Sequence, residues 1–354
     1  MKALYIGMPI TGKPTTGGEY VQSRNRRMLK EVYDYVDIVE IPRISIWRHA
    51  FNVFIGRGYG CTNSFMKVLH SYPFNKYDVA FLDSSSYGYY VRYLKERGLK
   101  TIVFCHNVEY DYYKAKFESK RSLMNCVLVP YIKKQEKLSM ENASFIITLN
   151  RRDSNGFMQI YGRKADAVIA ISYDSIEPPV INYCDSNEKY LLFVGADFFA
   201  NTDGIRWFIE NVSNHINYKL FVAGGCCNTL SKNLDLVDYP NVKLLGFVDD
   251  LDSLYQKAIG VVCPIFAGSG MKTKTIEALK YGKTIFGTTE AFEGIEADYS
   301  KIGGLCNTTE DFIDIINHHK DGLFNPYSSS VFETKFSNNA VFPLFAAFVN
   351  TKVR

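Results

Sequence analysis

Pro264-Ile-Phe-Ala-Gly-Ser-Gly-Met-Lys-Thr-Lys-Thr-Ile-Glu277, continued by Ala-Leu-Lys-Tyr-Gly-Lys283, joins three local patterns end to end. The apolar residues before Pro264 suit a buried strand, Gly268, Ser269 and Gly270 suit a turn, and the chain reads as helix from Met271. The first N–H groups of such a helix lack partners and lie at the positive end of its dipole, an arrangement that accepts phosphate. Lys272 and Lys274 add cations within one turn, and Glu277, three residues beyond Lys274, shares its side of the helix. A carboxylate there can accept two hydrogen bonds from a ribose diol. The plain alternative is a strand–turn–helix joint with a surface Lys–Glu pair, and spacing alone leaves both readings open.

The same alternation runs outward in both directions. Residues 3–8, 79–82, 101–105, 145–148 and the shorter 168–171 read as strands, separated by helices at 20–32, 88–96 and 131–141. A polar, proline-bearing stretch through 175–189 interrupts the rhythm, which restarts with strands at 190–195, 219–223, 242–245, 260–263 and 284–286. Helices are expected at 203–211, 251–257, 273–281 and 309–318, a loop at 324–330, and a last apolar helix at 338–350 interrupted at Pro343. This pattern predicts an α/β fold of two doubly wound, Rossmann-like domains with a cleft between them and ligands at the carboxyl ends of the strands. The expected boundaries are 1–185, 186–337 and a terminal helix, 338–354.

Composition agrees with two domains. The chain has 354 residues, 47% hydrophobic and 22% charged, which excludes a disordered polymer. Residues 1–185 hold 26 Lys+Arg against 18 Asp+Glu, a balance of +8, and the remainder hold 15 against 19, a balance of −4. The first half is therefore suited to an anionic partner. Eight cysteines without a CxxC spacing argue against a zinc framework or disulfide scaffold, and for a reducing compartment. No stretch approaches a spanning helix, and the first residues do not form a secretory leader. A soluble or membrane-surface protein is expected.

Four further features bear on function. Thr15-Thr-Gly17-Gly18-Glu19 follows the first strand, where glycines let backbone approach a ligand; an ordinary turn is an equal reading. The next helix carries Arg24, Arg26 and Arg27, read as a solvated face. His106, followed by Asn107 and Glu109, closes the strand at 101–105, where a cleft-facing imidazole could donate or accept. Asp250 and Asp252 read as the N-terminal charges of a helix, not a metal pair, and no obligatory metal or other cofactor is expected. Segment 41–57 mixes Trp47, Phe51 and Phe54 with Arg43, Arg48 and Arg57, which suits either an anionic lipid surface or a partly buried helix. No nucleic-acid module is present, so nucleic acid is not an expected partner.

The turn at 264–277, with Glu277-Ala278 and the following Gly282-Lys283, resembles the GT-B nucleotide-sugar glycosyltransferases, specifically glycosyltransferase family 4, or group 1. The likeness extends back through Gly246-Phe247-Val248 to Leu192-Phe-Val-Gly-Ala196 and is strongest over 190–295. It implies a GT-B fold with the last helix returning to the first domain. It also implies a UDP- or GDP-sugar donor, UDP favoured, transferred with retention to a glycan or lipid-linked acceptor in surface polysaccharide synthesis. The location implied is the cytoplasm, peripheral to the inner face of the membrane.

By the same resemblance Glu277 holds the ribose, and the backbone of Gly246, Phe247 and Val248 holds the base. Gly268, Ser269, Gly270, Met271, Lys272 and Lys274 hold the diphosphate and sugar. His106, Asn107, Glu109 and the Gly17–Gly18 loop face them from the first domain. Two positions depart from the family. Ser269 stands where many members have a second glutamate, and Ala196-Asp-Phe-Phe-Ala-Asn201 replaces a usual Arg and Lys. Those departures keep open a sugar-nucleotide epimerase or a non-catalytic binding relative.

Overall fold

In the computed structural model, residues 1–10, 12, 14, 17–119, 123–177, 189–320 and 322–354 are described. Their contacts divide them into one unit of Met1–Ile171 with Val341–Arg354, and a second of Ser172–Ala340. The expected boundary at 185 falls outside the described residues. The division comes earlier, after the buried Ile169 and Ile171 close the first unit's core.

The strands of the first unit are β1 (Lys2–Gly7), β2 (Tyr35–Glu40), β3 (Val79–Leu82), β4 (Thr101–Cys105), β5 (Phe145–Thr148) and β6 (Ala167–Val168). They lie parallel in the order β2-β1-β3-β4-β5-β6. Strands β3 and β4 are buried at every position because helices cover both faces, which explains their uninterrupted apolar sequence. Edge strand β2 was not foreseen: Tyr-Val-Asp-Ile-Val-Glu is exposed or half-buried except at Val39, so its apolar signal is weak. The last helix belongs here, with Phe345 edge-on to Phe81 and Phe348 edge-on to Phe145.

The second unit contains β7 (Tyr190–Val194), β8 (Lys219–Ala223), β9 (Val242–Gly246), β10 (Gly260–Cys263), β11 (Thr284–Gly287) and β12 (Gly303–Leu305). Their order, β12-β11-β10-β7-β8-β9, reverses direction between β10 and β7. In an open α/β sheet that switch point is where the loops diverge and a ligand can enter.

Three local expectations change. The loop expected at 324–330 contains the start of helix Pro326–Lys335: Asn325 accepts from the N–H groups of Tyr327 and Ser328, and Pro326 occupies a first-turn position, where a proline costs no hydrogen bond. Helix Asn338–Phe348 runs through Pro343 without interruption. Gly17 and Gly18 form the first turn of helix Gly17–Val32 instead of a loop ahead of it, and Thr15 and Thr16 lie outside the described residues.

Candidate functional site

The corner read from the sequence forms at the switch point of the second sheet. Strand β10 is wholly buried, the chain turns at Gly268 (φ 139°) and Gly270 (φ 66°), and helix Thr273–Lys280 follows. Both φ values lie where a β-carbon is strained, so glycine is required at both positions. No side chain caps this helix at Lys272, which leaves its first N–H groups without a side-chain acceptor. Met271 is buried beneath the turn, and the Ser269 hydroxyl is buried with no hydrogen-bond partner.

The two lysines part company. Lys274 is half-buried, donates to the Asn201 side chain and stands 4.9 Å over the Phe193 ring; Asn201 in turn donates to the Ala196 carbonyl at 3.0 Å. It therefore links the starts of the helices that follow β10 and β7. Burial pushes its pKa down to about 8. Lys272, by contrast, folds back on its own turn. Its ammonium donates to Glu290 at 2.6 Å and to the Gly270 carbonyl at 2.9 Å. Lys272 was expected to face a diphosphate, and it already holds an internal anion.

Glu277 lies one helical turn from Lys274, half-buried, and has no hydrogen-bond or ion-pair partner among the described residues. Burial raises its pKa to about 7, with Lys280 and Lys274 opposing the shift. A desolvated carboxylate without donors is poised to accept hydroxyls. Gly246 ends edge strand β9 with its carbonyl bound by the Gly224 N–H, followed by a Phe247 that is 80% exposed and then Val248. No hydrogen bond or ion pair among the described residues joins these three to Lys274 or Glu277. Asp250 caps helix Leu251–Lys257 by accepting from the Ser253 N–H, in agreement with its reading as a cap.

In the first unit His106 stands at the carboxyl end of β4, and its Nε2 lies 2.7 Å from Asp83, a wholly buried residue just after β3. The same carboxylate accepts from Tyr5 at 2.6 Å and Asn25 at 2.7 Å. The imidazole is thereby fixed in orientation. Asn107 donates to Glu109 at 3.4 Å, and burial raises the Glu109 pKa. The arginines read as a solvated face are mostly structural. Arg24 is buried and bonds the Ala170 carbonyl, while Arg26 bonds Met8 and Glu40 and lies over the Tyr5 ring.

Sequence reasoning missed Asp83, Asn201, Glu290 and Glu136. Glu136, wholly buried, accepts from Ser85, Tyr161 and the N–H groups of Glu109 and Tyr110, and so caps helix Glu109–Ser119. Asp83 sits just past β3 and Glu290 in the turn after β11, a signal that position along the predicted strands offered, whereas Asn201 lies in the first turn of helix Phe199–Asn211. No group of three potential metal ligands exists among the described residues, and none of their helices is long and apolar enough to cross a membrane.

Two parallel, doubly wound units with an uncapped helix start at the switch point define the class: this is a GT-B fold. Residues 188–319, within the second unit, match the family described as glycosyl transferases group 1. The chain is 24% identical over 245 residues to an uncharacterized 44.6 kDa protein in the cps region of Klebsiella pneumoniae, covering 61% of this chain and 58% of that protein. Among solved structures it is similar to sucrose-phosphate synthase of Thermosynechococcus elongatus (TM-score 0.72, 12% identity, 99% and 98% of the two chains). It is also similar to Anabaena HepE in complex with UDP (0.67, 14%, 99% and 100%) and to WaaG, a glycosyltransferase involved in lipopolysaccharide biosynthesis (0.66, 14%, 99% and 100%).

Proposed function

We propose that this protein transfers a sugar from a nucleotide-diphosphate sugar, UDP-linked, to a glycan or lipid-linked acceptor in surface polysaccharide synthesis, with retention of configuration. One observation carries the reading: behind an uncapped helix start, a partly desolvated Lys274 and a partnerless Glu277 lie one turn apart at the sheet's switch point. Glu277 accepts the ribose hydroxyls, and the turn N–H groups with Lys274 take the diphosphate. Negative charge growing on the leaving diphosphate meets these fixed dipoles and cations, which lowers the barrier without a nucleophilic side chain. His106, held by Asp83, with Asn107, Glu109 and the Gly17–Gly18 turn, is the first unit's share of the proposed machinery for sugar and acceptor. The UDP and UDP-glucose held by the similar HepE support the choice of nucleotide.

The protein works at the inner face of the cytoplasmic membrane, against which helix Ile46–Phe54 lies with its exposed aromatic residues. The test is release of UDP from a panel of UDP-sugars, with and without lipid-linked glycan acceptors. Acceptor-stimulated release supports transfer, whereas epimerised donor without an acceptor contradicts it.

A further inference from the structure

The first unit carries a concavity of about 440 Å³ that the proposed reaction does not use. Arg43 and Arg48 line it, with the hydroxyls of Thr62 and Ser64 and apolar walls from Phe65 and Val68. Arg48 has no ion-pair partner among the described residues, and Arg43 reaches only Glu19, at 4.0 Å. Glu40, the one acid among the lining residues, is already bonded to Arg26 at 3.0 Å. The cavity is therefore net positive, with room for a phosphate and the few atoms that carry it.

A second observation says what else the occupant must have. Trp47, Phe51 and Phe54, at i, i+4 and i+7, share one face of the helix that supplies Arg48, and they are 84%, 58% and 89% exposed. Val68, in the wall of the cavity that Arg48 of this helix also lines, is 53% exposed. Three exposed aromatic side chains on one helix face mark an interaction surface. A free sugar phosphate would satisfy the arginines and leave the rings in water. An amphiphile satisfies both.

We propose that the Arg43–Arg48 cavity binds the phosphate headgroup of a membrane lipid, whose acyl region lies against Trp47, Phe51 and Phe54. This rests on the membrane placement proposed above and adds to it a specific headgroup site. The guanidinium groups supply bidentate donors matched to phosphate, and the exposed rings suit the interfacial region of the bilayer.

The experiment compares sedimentation of the wild type, an Arg43→Ser/Arg48→Ser variant and a Trp47→Ser/Phe54→Ser variant with phosphatidylcholine vesicles, with or without phosphatidic acid. Calorimetry with soluble dihexanoyl phosphatidic acid and with glycerol phosphate accompanies it. The expected result is that phosphatidic acid raises wild-type partitioning, the arginine variant loses about tenfold or more of that gain, and dihexanoyl phosphatidic acid binds only when the arginines are present. Equal binding of the arginine variant overturns the site, as does glycerol phosphate binding as well as the short-chain lipid. Absence of vesicle binding by the wild type sinks the membrane placement. The headgroup site then stands only if the soluble lipid still binds through the arginines, and otherwise falls with it. Unchanged UDP affinity in the arginine variant shows that it is folded.

Discussion

The ammonium of Lys272 lies 2.6 Å from the Glu290 carboxylate and donates also to the Gly270 carbonyl at 2.9 Å, so the lysine nearest the glycine turn is neutralised from within. Its side chain is 10% exposed and that of Glu290 19%, so the pair is only partly screened by water. Any anion that enters the turn has to share Lys272 with this carboxylate or displace it.

Replacing the carboxylate by an isosteric amide removes that competition. Glu290→Gln is expected to tighten UDP binding by about threefold or more, roughly 0.7 kcal/mol, when titrated calorimetrically. Weaker binding would mean that Glu290 shapes the turn instead of competing for Lys272.

Lys274 and Glu277 are the proposed contacts to diphosphate and ribose. Each replaced by alanine is expected to lower kcat/KM for sugar transfer by two decades or more, about 2.7 kcal/mol. Activity within tenfold of wild type in both would remove them from the site. Lys274→Ala also frees Asn201, so a thermal melt should accompany the assay to separate misfolding from lost chemistry.

The glycine turn, its two lysines and Glu277 were legible because they fall within one short stretch, where helical spacing alone decides which residues meet. Their partners were not. Asn201 follows β7 and Glu290 follows β11, and only the sheet order brings those segments to the one after β10. The alternation of strand and helix gave both sheets nearly whole, but it failed at the edge strands β2, whose exposed polar positions dilute the apolar run, and β12, a three-residue Gly-Gly-Leu. Pro326 misled in a different way. A proline breaks a helix interior yet fits its first turn, and the Asn325 cap distinguishes the two cases. Arg24 and Arg26 read as surface charges because a sequence does not show the carbonyls of Ala170 and Met8 that they bind.

Glu277 gives the site a pH signature. Its pKa, raised by burial from 4.5 to about 7, means that the folded chain binds a proton there which the unfolded chain has released between those values. This group's contribution to stability is thus full below about 4.5 and is lost as pH rises towards 7. UDP affinity should move the opposite way, rising as the carboxylate forms near pH 7 and falling above about 8, where Lys274 loses its proton. Calorimetric titrations across pH 6–9 should show this maximum, and Glu277→Gln should abolish its acid limb. A flat profile in the wild type would contradict the assignment.

The two members of the His106–Asp83 pair should separate. His106→Ala is expected to lose turnover while keeping UDP binding, measured by parallel kinetics and calorimetry. Asp83→Ala leaves the donors of Tyr5, Asn25 and His106 without their buried acceptor, and should lower unfolding free energy by about 3 kcal/mol or more in urea. Unchanged turnover in His106→Ala would assign the histidine to structure alone.

The most direct test of the whole account is calorimetric titration of the intact protein with UDP, run beside Glu277→Ala. The account predicts saturable heat from the wild type and affinity at least about 100-fold weaker in the variant. Equal affinity in the two proteins, or no heat from UDP, GDP or any other nucleoside diphosphate, would contradict it.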